Sequence, residues 1–268
     1  MLELYQFGNS VCAQKVRITM VEKGLDWETR EVNLFISEQY SPEYLKINPK
    51  GVVPTLVVDG QPIIESTLIC EFLDETYPEP SLMPKDALSR AQMRLWSKAV
   101  DEGLFEGVVE LSFSAMFRHR MQNMTDEQRA VRFFNVGDPR RRDRFMSTYH
   151  DGVCSPYVLH GIAAYERAFK TMEFDFSDGR PWLMGEQFTL ADINLMPLVA
   201  RLYYLDLLDI WILQRPFVKK WWERAKDRQS FIKGLTELVL HKETRGNFVS
   251  SVMCPSKYIK CPCLKIKS

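Results

Sequence analysis

Short apolar runs alternate with a helical repeat over the first eighty residues, and this pattern predicts a small α/β unit. Leu2–Phe7 has the composition of a strand, and Gly8–Ser10 interrupts it. From Cys12 to Lys23 the apolar residues recur at helical spacing, and Gly24 is expected to end that helix. Trp27–Leu34 alternates polar with apolar or β-branched residues, so we expect a second strand that is parallel to the first.

The next apolar runs predict an antiparallel hairpin followed by a helix. Thr55–Val58 and Pro62–Ile64 flank Asp59-Gly60, and an Asp-Gly pair between apolar runs is a strong hairpin signal. Ser66 then opens a segment with one apolar helical face. The order βαβ, an intervening segment and ββα predicts a thioredoxin-like topology.

The remaining chain has the periodicity of helices. Prolines at Tyr77–Pro80 and Met83-Pro84 indicate a linker, and apolar residues from Leu88 to Val109 recur at helical spacing over a long stretch. In Phe188–Ile193 a threonine precedes an aspartate by three residues, which is close to a capping box. We expect that aspartate, Asp192, to nucleate a helix and to do no chemistry.

These patterns predict three parts of the chain. The fold class is an α/β thioredoxin-like domain over residues 1–79, followed by an all-α helical domain over residues 86–240. A basic tail occupies residues 241–268, and we expect it to be mobile. Its Cys254, Cys261 and Cys263 lack the paired spacing of a zinc site, so no metal is expected.

Composition excludes several classes of protein. The chain has 268 residues, of which 46% are hydrophobic and 26% charged, as in globular proteins. No apolar run approaches the roughly 18 residues of a membrane span, and the first residues lack a secretory signal. The formal net charge is +0, which offers no electrostatic footprint for nucleic acid. Six cysteines are too few for a disulfide scaffold, so we expect a cytoplasmic protein.

An arginine-rich segment stands out against this balance. Residues 118–144 contain eight arginines and four acids, and Gly137–Pro139 prevents a single straight helix. We expect a solvated face here, and the alternative is a basic lip that attracts anionic substrates to a cleft.

Three short elements of the first domain could form one binding site. Val53-Pro54 precedes a strand, and a cis peptide there would expose the Val53 backbone to an extended peptide ligand. Glu65-Ser66 begins a helix, whose N-terminus would receive a carboxylate. Ser10–Cys12 opens the first helix, where a hydroxyl or an amide could hold a thiolate.

With these elements the chain resembles a cytosolic-type glutathione transferase over residues 1 to about 235. The resemblance is carried by Asn48–Leu56, Asp59-Gly60, Ile64–Thr67, Ile69–Leu73 and Phe188–Asp192. It implies that the protein uses glutathione as co-substrate. It also implies that the helical domain supplies a pocket for a small hydrophobic electrophile and the interface of a homodimer.

The resemblance also assigns binding roles within the first domain. Val53, held by Pro54, would pair with the cysteinyl backbone of glutathione. Glu65 and Ser66 would hold its γ-glutamyl end. Gln39 and Lys50 would make contacts near its glycine end, and these two assignments are the weaker ones.

The catalytic position is carried over from more than one branch of the family. Ser10–Arg17 resembles the Ser-Ser-Cys-Ser segment of the zeta class, in which the first serine activates glutathione, and this places the role on Ser10. The chain also resembles the bacterial β-aryl-etherase branch, in the segments Glu65–Glu71, Arg90–Trp96 and Asp101-Glu102. Those enzymes have a serine where this chain has Ala13. Cysteine classes carry their thiol at the Ser10 position, so Cys12 does not correspond to their cysteine. The alternatives to Ser10 are Cys12, the backbone amides, and no activation of the thiol.

Three functions follow from the resemblance. The first is a transferase that directs the glutathione thiolate at a hydrophobic electrophile, with β-aryl ether cleavage as one form. The second is a zeta-like isomerase or dehalogenase, and the third is a non-catalytic ligand-binding protein of the same fold.

Both catalytic functions need the thiol of glutathione to be ionised. A free thiol has a pKa of about 8.5, and lowering that pKa by roughly two units would raise the thiolate population at neutral pH more than tenfold.

Overall fold

The computed structural model describes residues 1–237, apart from the side chains of residues 119 and 120. The strands are β1 (Leu2–Gln6), β2 (Glu28–Glu31), β3 (Thr55–Val58) and β4 (Gln61–Ile64). The α-helices are α1 (Val11–Glu22), α2 (Pro42–Ile47), α3 (Ser66–Thr76), α4 (Ala87–Ala99), α5 (Phe105–Ser112), α6 (Arg118–Gln122), α7 (Asp126–Phe134), α8 (Pro139–Asp151), α9 (Pro156–Asp175), α10 (Leu190–Tyr204), α11 (Asp209–Ile212), α12 (Pro216–Lys226) and α13 (Gln229–Phe231). The predicted tail over residues 241–268, with its three cysteines, lies outside the described residues.

The sheet confirms the thioredoxin-like topology. Its strand order is β2-β1-β3-β4, with β1 parallel to β2 and antiparallel to β3, which pairs antiparallel with β4. Helix α1 makes the crossover between the parallel strands, and Asp59-Gly60 turns the hairpin as predicted.

The second strand is shorter than predicted. It ends at Glu31, because the Asn33 side chain accepts a hydrogen bond from the Phe35 amide and starts a 3₁₀ turn over Leu34–Ile36. All four residues of β2 are exposed, as suits the edge of a sheet.

Helix α1 runs from Val11 to Glu22, one residue earlier at each end than predicted. Ser10 is its N-cap and Gly24 follows it with a φ of 63°. The helix packs against α3, α10 and the segment around α13, and most of its residues are buried. The helix therefore joins the sheet to the helical part and carries the residue that opens the site.

The long helical stretch after the linker is interrupted by π turns. Where periodicity predicted one helix over Leu88–Val109, the structure has α4, a π turn at Val100–Leu104, and α5. A second π turn at Phe113–Phe117 precedes α6. Each π turn adds a residue to the helix and redirects the side chains that follow it.

Helix α5 packs closely on α9 because both helices have a glycine at the contact. A Cβ atom built on Gly107 would lie 2.8 Å from the Gly161 Cα, and one built on Gly161 would lie 2.6 Å from the Gly107 Cα. The two backbones therefore approach within a distance that any side chain would prevent.

The arginine-rich segment forms three helices, α6 to α8, and the predicted break falls before α8, which begins at Pro139. A fully solvated face is not what the structure shows. The Arg118 Nε donates to the Tyr149 carbonyl at 2.8 Å, and Arg144 pairs with Glu106 at 2.9 Å. These arginines hold the helices to one another, whereas Arg140 is exposed.

Asp192, the third residue of α10, caps the start of that helix as predicted. Its Oδ2 accepts a hydrogen bond from the Thr189 amide at 3.2 Å, and its Oδ1 accepts from the Leu183 amide at 3.0 Å and the Trp221 Nε1 at 2.9 Å. The carboxyl is fully buried, and burial raises its pKa to about 6. One side chain thus caps a helix and ties two further segments to it.

Within residues 1–237 no helix is both long enough and apolar enough to cross a membrane.

Candidate functional site

Ser10 lies where β1 passes into α1. Its amide donates to the Phe7 carbonyl at 2.9 Å, and its Oγ accepts from the Ala13 amide at 3.3 Å. The oxygen is the N-cap acceptor, and among the described residues no acceptor takes the Ser10 O–H, so it is available to donate to a ligand. The residue is partly exposed, so a ligand can reach it. A hydroxyl in this position can stabilise an anion at the N-terminus of α1.

Cys12 lies one residue inside α1, as predicted, and is turned toward packing. It is close to the Ser66 side chain and to the Lys15 ammonium. Burial raises the pKa of the Cys12 thiol, and those two neighbours offset the effect only in part. A thiol whose pKa is raised is protonated at neutral pH and is a poor nucleophile.

The turn into α3 is strained at a non-glycine residue. Glu65, the N-cap, has a φ of 72°, in the left-handed region that L side chains rarely adopt. Ser66 is buried at the first helical position, and the first-turn amides of α3 have no acceptor within the helix and no side-chain cap at Glu65. The Lys50 Nζ lies 2.6 Å from the Glu65 Oε1, and both side chains are exposed.

The loop before β3 presents the backbone of Val53. The Val53-Pro54 peptide is cis, as predicted. The Val52 carbonyl accepts hydrogen bonds from the Tyr44 hydroxyl at 2.6 Å and the Asn48 Nδ2 at 2.9 Å. Among residues 1–237, neither the amide nor the carbonyl of Val53 has a hydrogen-bond partner. The loop is therefore fixed in place, while the amide and the carbonyl of Val53 stay available to pair with a ligand.

Gln39 lies against the same loop. A Cβ atom built on Gly51 would lie 3.2 Å from the Gln39 carbonyl oxygen, and the Gln39 side chain is 8% exposed. In the described part of the chain its Oε1 is buried without a hydrogen-bond partner. Because a buried amide oxygen without a partner is costly, this group is suited to a ligand that donates to it.

Sequence reasoning missed a cluster at the start of α3, in which Lys15 and Thr67 are buried and Asp101 is partly exposed. The Lys15 Nζ donates to the Thr67 Oγ1 at 2.9 Å and lies 3.3 Å from the Asp101 Oδ1, and the Thr67 hydroxyl donates to Asp101 at 3.0 Å. Asp101 belongs to the first π turn, so the cluster links the sheet part to the helical part. Asp101 stands in a motif that the sequence singled out, but nothing local reveals that Lys15 is buried.

Two buried arginines were also missed, and both hold the loop before Ser10. The Arg17 Nη2 donates to the Gly8 carbonyl at 2.9 Å. The Arg201 Nη2, from α10, lies 2.6 Å from the Asn9 carbonyl oxygen and 2.6 Å from its Oδ1. Arginine in a helix normally indicates a solvated face, so sequence spacing gave no sign of this clamp.

Aromatic side chains form a wall beside the loop. The ring centroids of Phe7 and Phe35 are 5.2 Å apart with the rings edge to face, and those of Phe35 and Phe117 are 6.4 Å apart. Phe7 directly precedes the Gly8–Ser10 loop, and Phe117 ends the second π turn. This wall joins both parts of the chain and begins three residues before Ser10.

The site thus brings the predicted residues into two groups. Ser10 opens α1, and Glu65 and Ser66 open α3, with Cys12 close to Ser66. The second group, at the loop before β3, joins the first through the ion pair between Lys50 and Glu65, and its other members are Gln39, Val53 and Pro54. No cluster of three or more metal-ligating side chains is present among the described residues.

Comparison with known proteins finds two glutathione S-transferase domains. The profile of the N-terminal domain of that family matches residues 4–81, and the profile of its C-terminal domain matches residues 155–228. In structure the chain is similar to the β-etherase LigF from Sphingobium sp. strain SYK-6, with a TM-score of 0.76 and 28% identity, covering 88% of this chain and 98% of that one.

Relatives by sequence come from more than one branch. Protein LigF of the same Sphingobium strain is 41% identical over 47% of this chain, which spans only 50% of LigF in that alignment. The probable maleylacetoacetate isomerase of Caenorhabditis elegans is 30% identical over 76% of this chain and 81% of that protein. A tetrachloro-p-hydroquinone reductive dehalogenase of Sphingobium chlorophenolicum is 25% identical over 86% of this chain and 94% of its own length. The two domain profiles and the isomerase-like relative show that this chain belongs to the glutathione S-transferase family, whose members use glutathione as co-substrate.

Proposed function

We propose that the protein binds glutathione between Ser10, Val53 and the N-terminus of α3 and activates its thiol for attack on a hydrophobic, aromatic electrophile. The proposal depends mainly on one observation: the Ser10 Oγ accepts a hydrogen bond from the Ala13 amide at the N-terminus of α1, and the Ser10 O–H is available to donate to a ligand there. A thiolate placed there would receive both that hydrogen bond and the helix dipole.

The binding roles follow the geometry of the two groups. The unpaired amide and carbonyl of Val53 would pair with the cysteinyl backbone, as a strand edge pairs with an extended peptide. The first-turn amides and hydroxyl of Ser66 would receive the γ-glutamyl carboxylate, with Glu65 beside them. Gln39 and Lys50 would contact the glycine end, where the Gln39 Oε1 lacks a partner.

The chemical step needs no general base once the thiol is ionised. The thiol proton leaves to solvent, and the thiolate supplies the electron pair for the new C–S bond. In ether cleavage the thiolate attacks the carbon that bears the ether oxygen, the C–O bond breaks, and the oxygen leaves with the bonding pair and takes a proton. The likeness to LigF and the wall of Phe7, Phe35 and Phe117 favour this form of the reaction.

A second candidate function is a glutathione-dependent isomerisation or dehalogenation. It is favoured by the Ser10–Cys12 segment and by the isomerase and dehalogenase relatives. A non-catalytic binding protein is less well supported, because the Ser10 hydroxyl retains a free O–H at a helix N-terminus.

The proposal includes the domain division, a homodimer and a cytoplasmic location. Residues 1–79 would bind glutathione and residues 86–240 would supply the electrophile pocket. Leu68 of α3 is 58% exposed, and Leu88 and Leu95 of α4 are 71% and 65% exposed. Exposed leucines on two adjacent helices are suited to a contact with a second copy of the chain.

The experiment is a binding measurement followed by a substrate screen. Calorimetry with glutathione should show millimolar or tighter binding, and ligand at 100 times its Kd should stabilise the fold by about 2.7 kcal/mol. Protein that binds glutathione is then assayed for turnover of three electrophiles: a β-aryl ether, a conjugated cis-alkene diketo acid and a chlorinated hydroquinone. Turnover of the ether supports the first candidate, and turnover confined to the other two supports the second. Absence of calorimetric binding at millimolar glutathione contradicts both.

A further inference from the structure

The residue before Ser10 is held by a side chain from the other half of the chain. Arg201 lies on α10, is 6% exposed, and places its Nη2 2.6 Å from both the carbonyl oxygen and the Oδ1 of Asn9. One guanidinium nitrogen therefore fixes both the backbone and the side chain of Asn9. Since Asn9 is bonded to Ser10, this contact restricts the direction in which the Ser10 hydroxyl points.

The charge of Arg201 is not balanced by an ion pair. Burial lowers the pKa of its guanidinium to about 10, so the group is still protonated at neutral pH. Its other hydrogen-bond partner is the neutral Ser112 Oγ at 3.4 Å. Within residues 1–237, no carboxylate forms a salt bridge with it. A buried cation without a counter-charge raises the electrostatic potential nearby, and this favours an anion placed at Ser10.

A second arginine, Arg17 of α1, donates a hydrogen bond to the carbonyl of Gly8, the residue before Asn9. Arg17 donates to the Gly8 oxygen at 2.9 Å, and it also donates to the Gln6 side chain and to the Gly234 carbonyl at 2.7 Å. Arg17 is therefore tied into the core at several points. Arg201 reaches the first domain through Asn9, so its replacement disturbs the Ser10 loop more selectively.

We propose that Arg201 is a positioning residue for glutathione activation. It fixes Asn9 and thereby the Ser10 hydroxyl, and its unpaired charge favours the thiolate over the thiol. This inference rests on the proposed function and extends it by giving the helical part a share in the ionisation of the thiol. The step involves only loss of the thiol proton to solvent, and no bond to Arg201 forms.

The test compares Arg201→Met and Arg201→Lys with a matched control. The control is Arg215→Met, which removes another largely buried arginine whose partners are Glu166 and the Trp211 carbonyl. The measured quantity is the ultraviolet thiolate absorbance of bound glutathione against pH, together with kcat and KM. Arg201→Met should raise the thiol pKa by about one unit and lower kcat about tenfold at neutral pH. Its KM for glutathione should change less than about threefold.

Two further readouts separate positioning from a merely structural role. The kcat of Arg201→Met should recover as the pH rises above the thiol pKa, because the thiolate then forms without help. Arg201→Lys keeps the charge and should shift the thiol pKa less than Arg201→Met. Arg215→Met should titrate as the wild type does, even if its melting temperature falls.

A folded Arg201→Met variant with the thiol pKa and kcat of the wild type overturns the inference. If Arg201→Met does not fold, Arg201→Gln, which also removes the charge, serves instead, and a wild-type thiol pKa and kcat in that variant overturn the inference equally. The proposed function is contradicted by a different result: glutathione bound to the wild-type protein has the same thiol pKa as free glutathione. If Ser10→Ala raises the pKa and Arg201→Met does not, only the inference about Arg201 is lost.

Discussion

Lys50 and Glu65 form an ion pair, Nζ to Oε1 at 2.6 Å, between the loop before β3 and the strained turn into α3. Lys50 is 60% exposed and Glu65 49% exposed, so solvent screens their attraction. The pair lies between the two segments that are proposed to hold opposite ends of glutathione. A ligand that spans both segments would contact these two charges. Because the exposed pair contributes little to the stability of the fold, its effect on ligand binding can be measured separately.

Lys50→Met and Glu65→Gln should therefore weaken glutathione binding while changing the free energy of unfolding by no more than roughly 1 kcal/mol. The measurements are calorimetric affinity and denaturant unfolding on both variants and on the double variant. Lys98→Met, which removes the exposed partner of Glu102 on the helical part, is the matched control. Unchanged affinity in both single variants would contradict the assignment of these residues.

Ser66→Ala should raise the glutathione Kd about ten- to hundredfold. The reason is the loss of one hydrogen bond to a carboxylate, which is worth about 1.5–3 kcal/mol. Ser177→Ala, on an exposed turn far along the chain, controls for loss of a hydroxyl as such. An affinity equal to that of the wild type would mean that the γ-glutamyl end is held by backbone amides alone.

Asp192→Asn tests the buried capping carboxylate, and its effect should depend on pH. At about pH 4 the variant should unfold more easily by about 2 kcal/mol or more, because an amide NH2 replaces one of the two oxygens that accept from three N–H groups. The folded-state pKa of Asp192 is about 6, above that of an unfolded aspartate, so the folded chain binds this proton more tightly. The stabilising contribution of protonation is then fully present below about pH 4 and is lost as the pH rises through 6.

The wild-type advantage over Asp192→Asn should consequently shrink, on the order of 2 kcal/mol, between pH 4 and pH 7. Urea unfolding of both proteins across that range measures it. An advantage that stays constant or grows with pH would show that the hydrogen bonds to Asp192 outweigh its burial.

Local signals in the sequence were sufficient for the hairpin at Asp59-Gly60, the start of α3 at Ser66 and the capping role of Asp192. Each depends on residues within a few positions of one another, and turn and cap chemistry acts at that range. The π turns were not visible, because one added residue changes apolar spacing no more than ordinary variation does.

The buried side chains Lys15, Arg17 and Arg201 could not be predicted either. Their partners lie far away in sequence: Asp101 for Lys15, Gly234 for Arg17 and Asn9 for Arg201. A charged residue on a helix indicates solvent unless its distant partner is known. The residues proposed to contact the ligand were therefore accessible from motifs, whereas the residues proposed to position them are brought there by tertiary packing.

The central claim is that the Ser10 hydroxyl, and not the Cys12 thiol, stabilises the glutathione thiolate. The ultraviolet absorbance of bound glutathione against pH, in Ser10→Ala and Cys12→Ser, tests it most directly. Ser10→Ala should raise the bound-thiol pKa and lower turnover about tenfold or more, which corresponds to about 1.4 kcal/mol of lost stabilisation. Cys12→Ser should titrate and turn over nearly as the wild type does, because burial keeps that thiol protonated. A wild-type titration in Ser10→Ala, together with lost activity in Cys12→Ser and a mixed disulfide of glutathione on Cys12, would contradict the account.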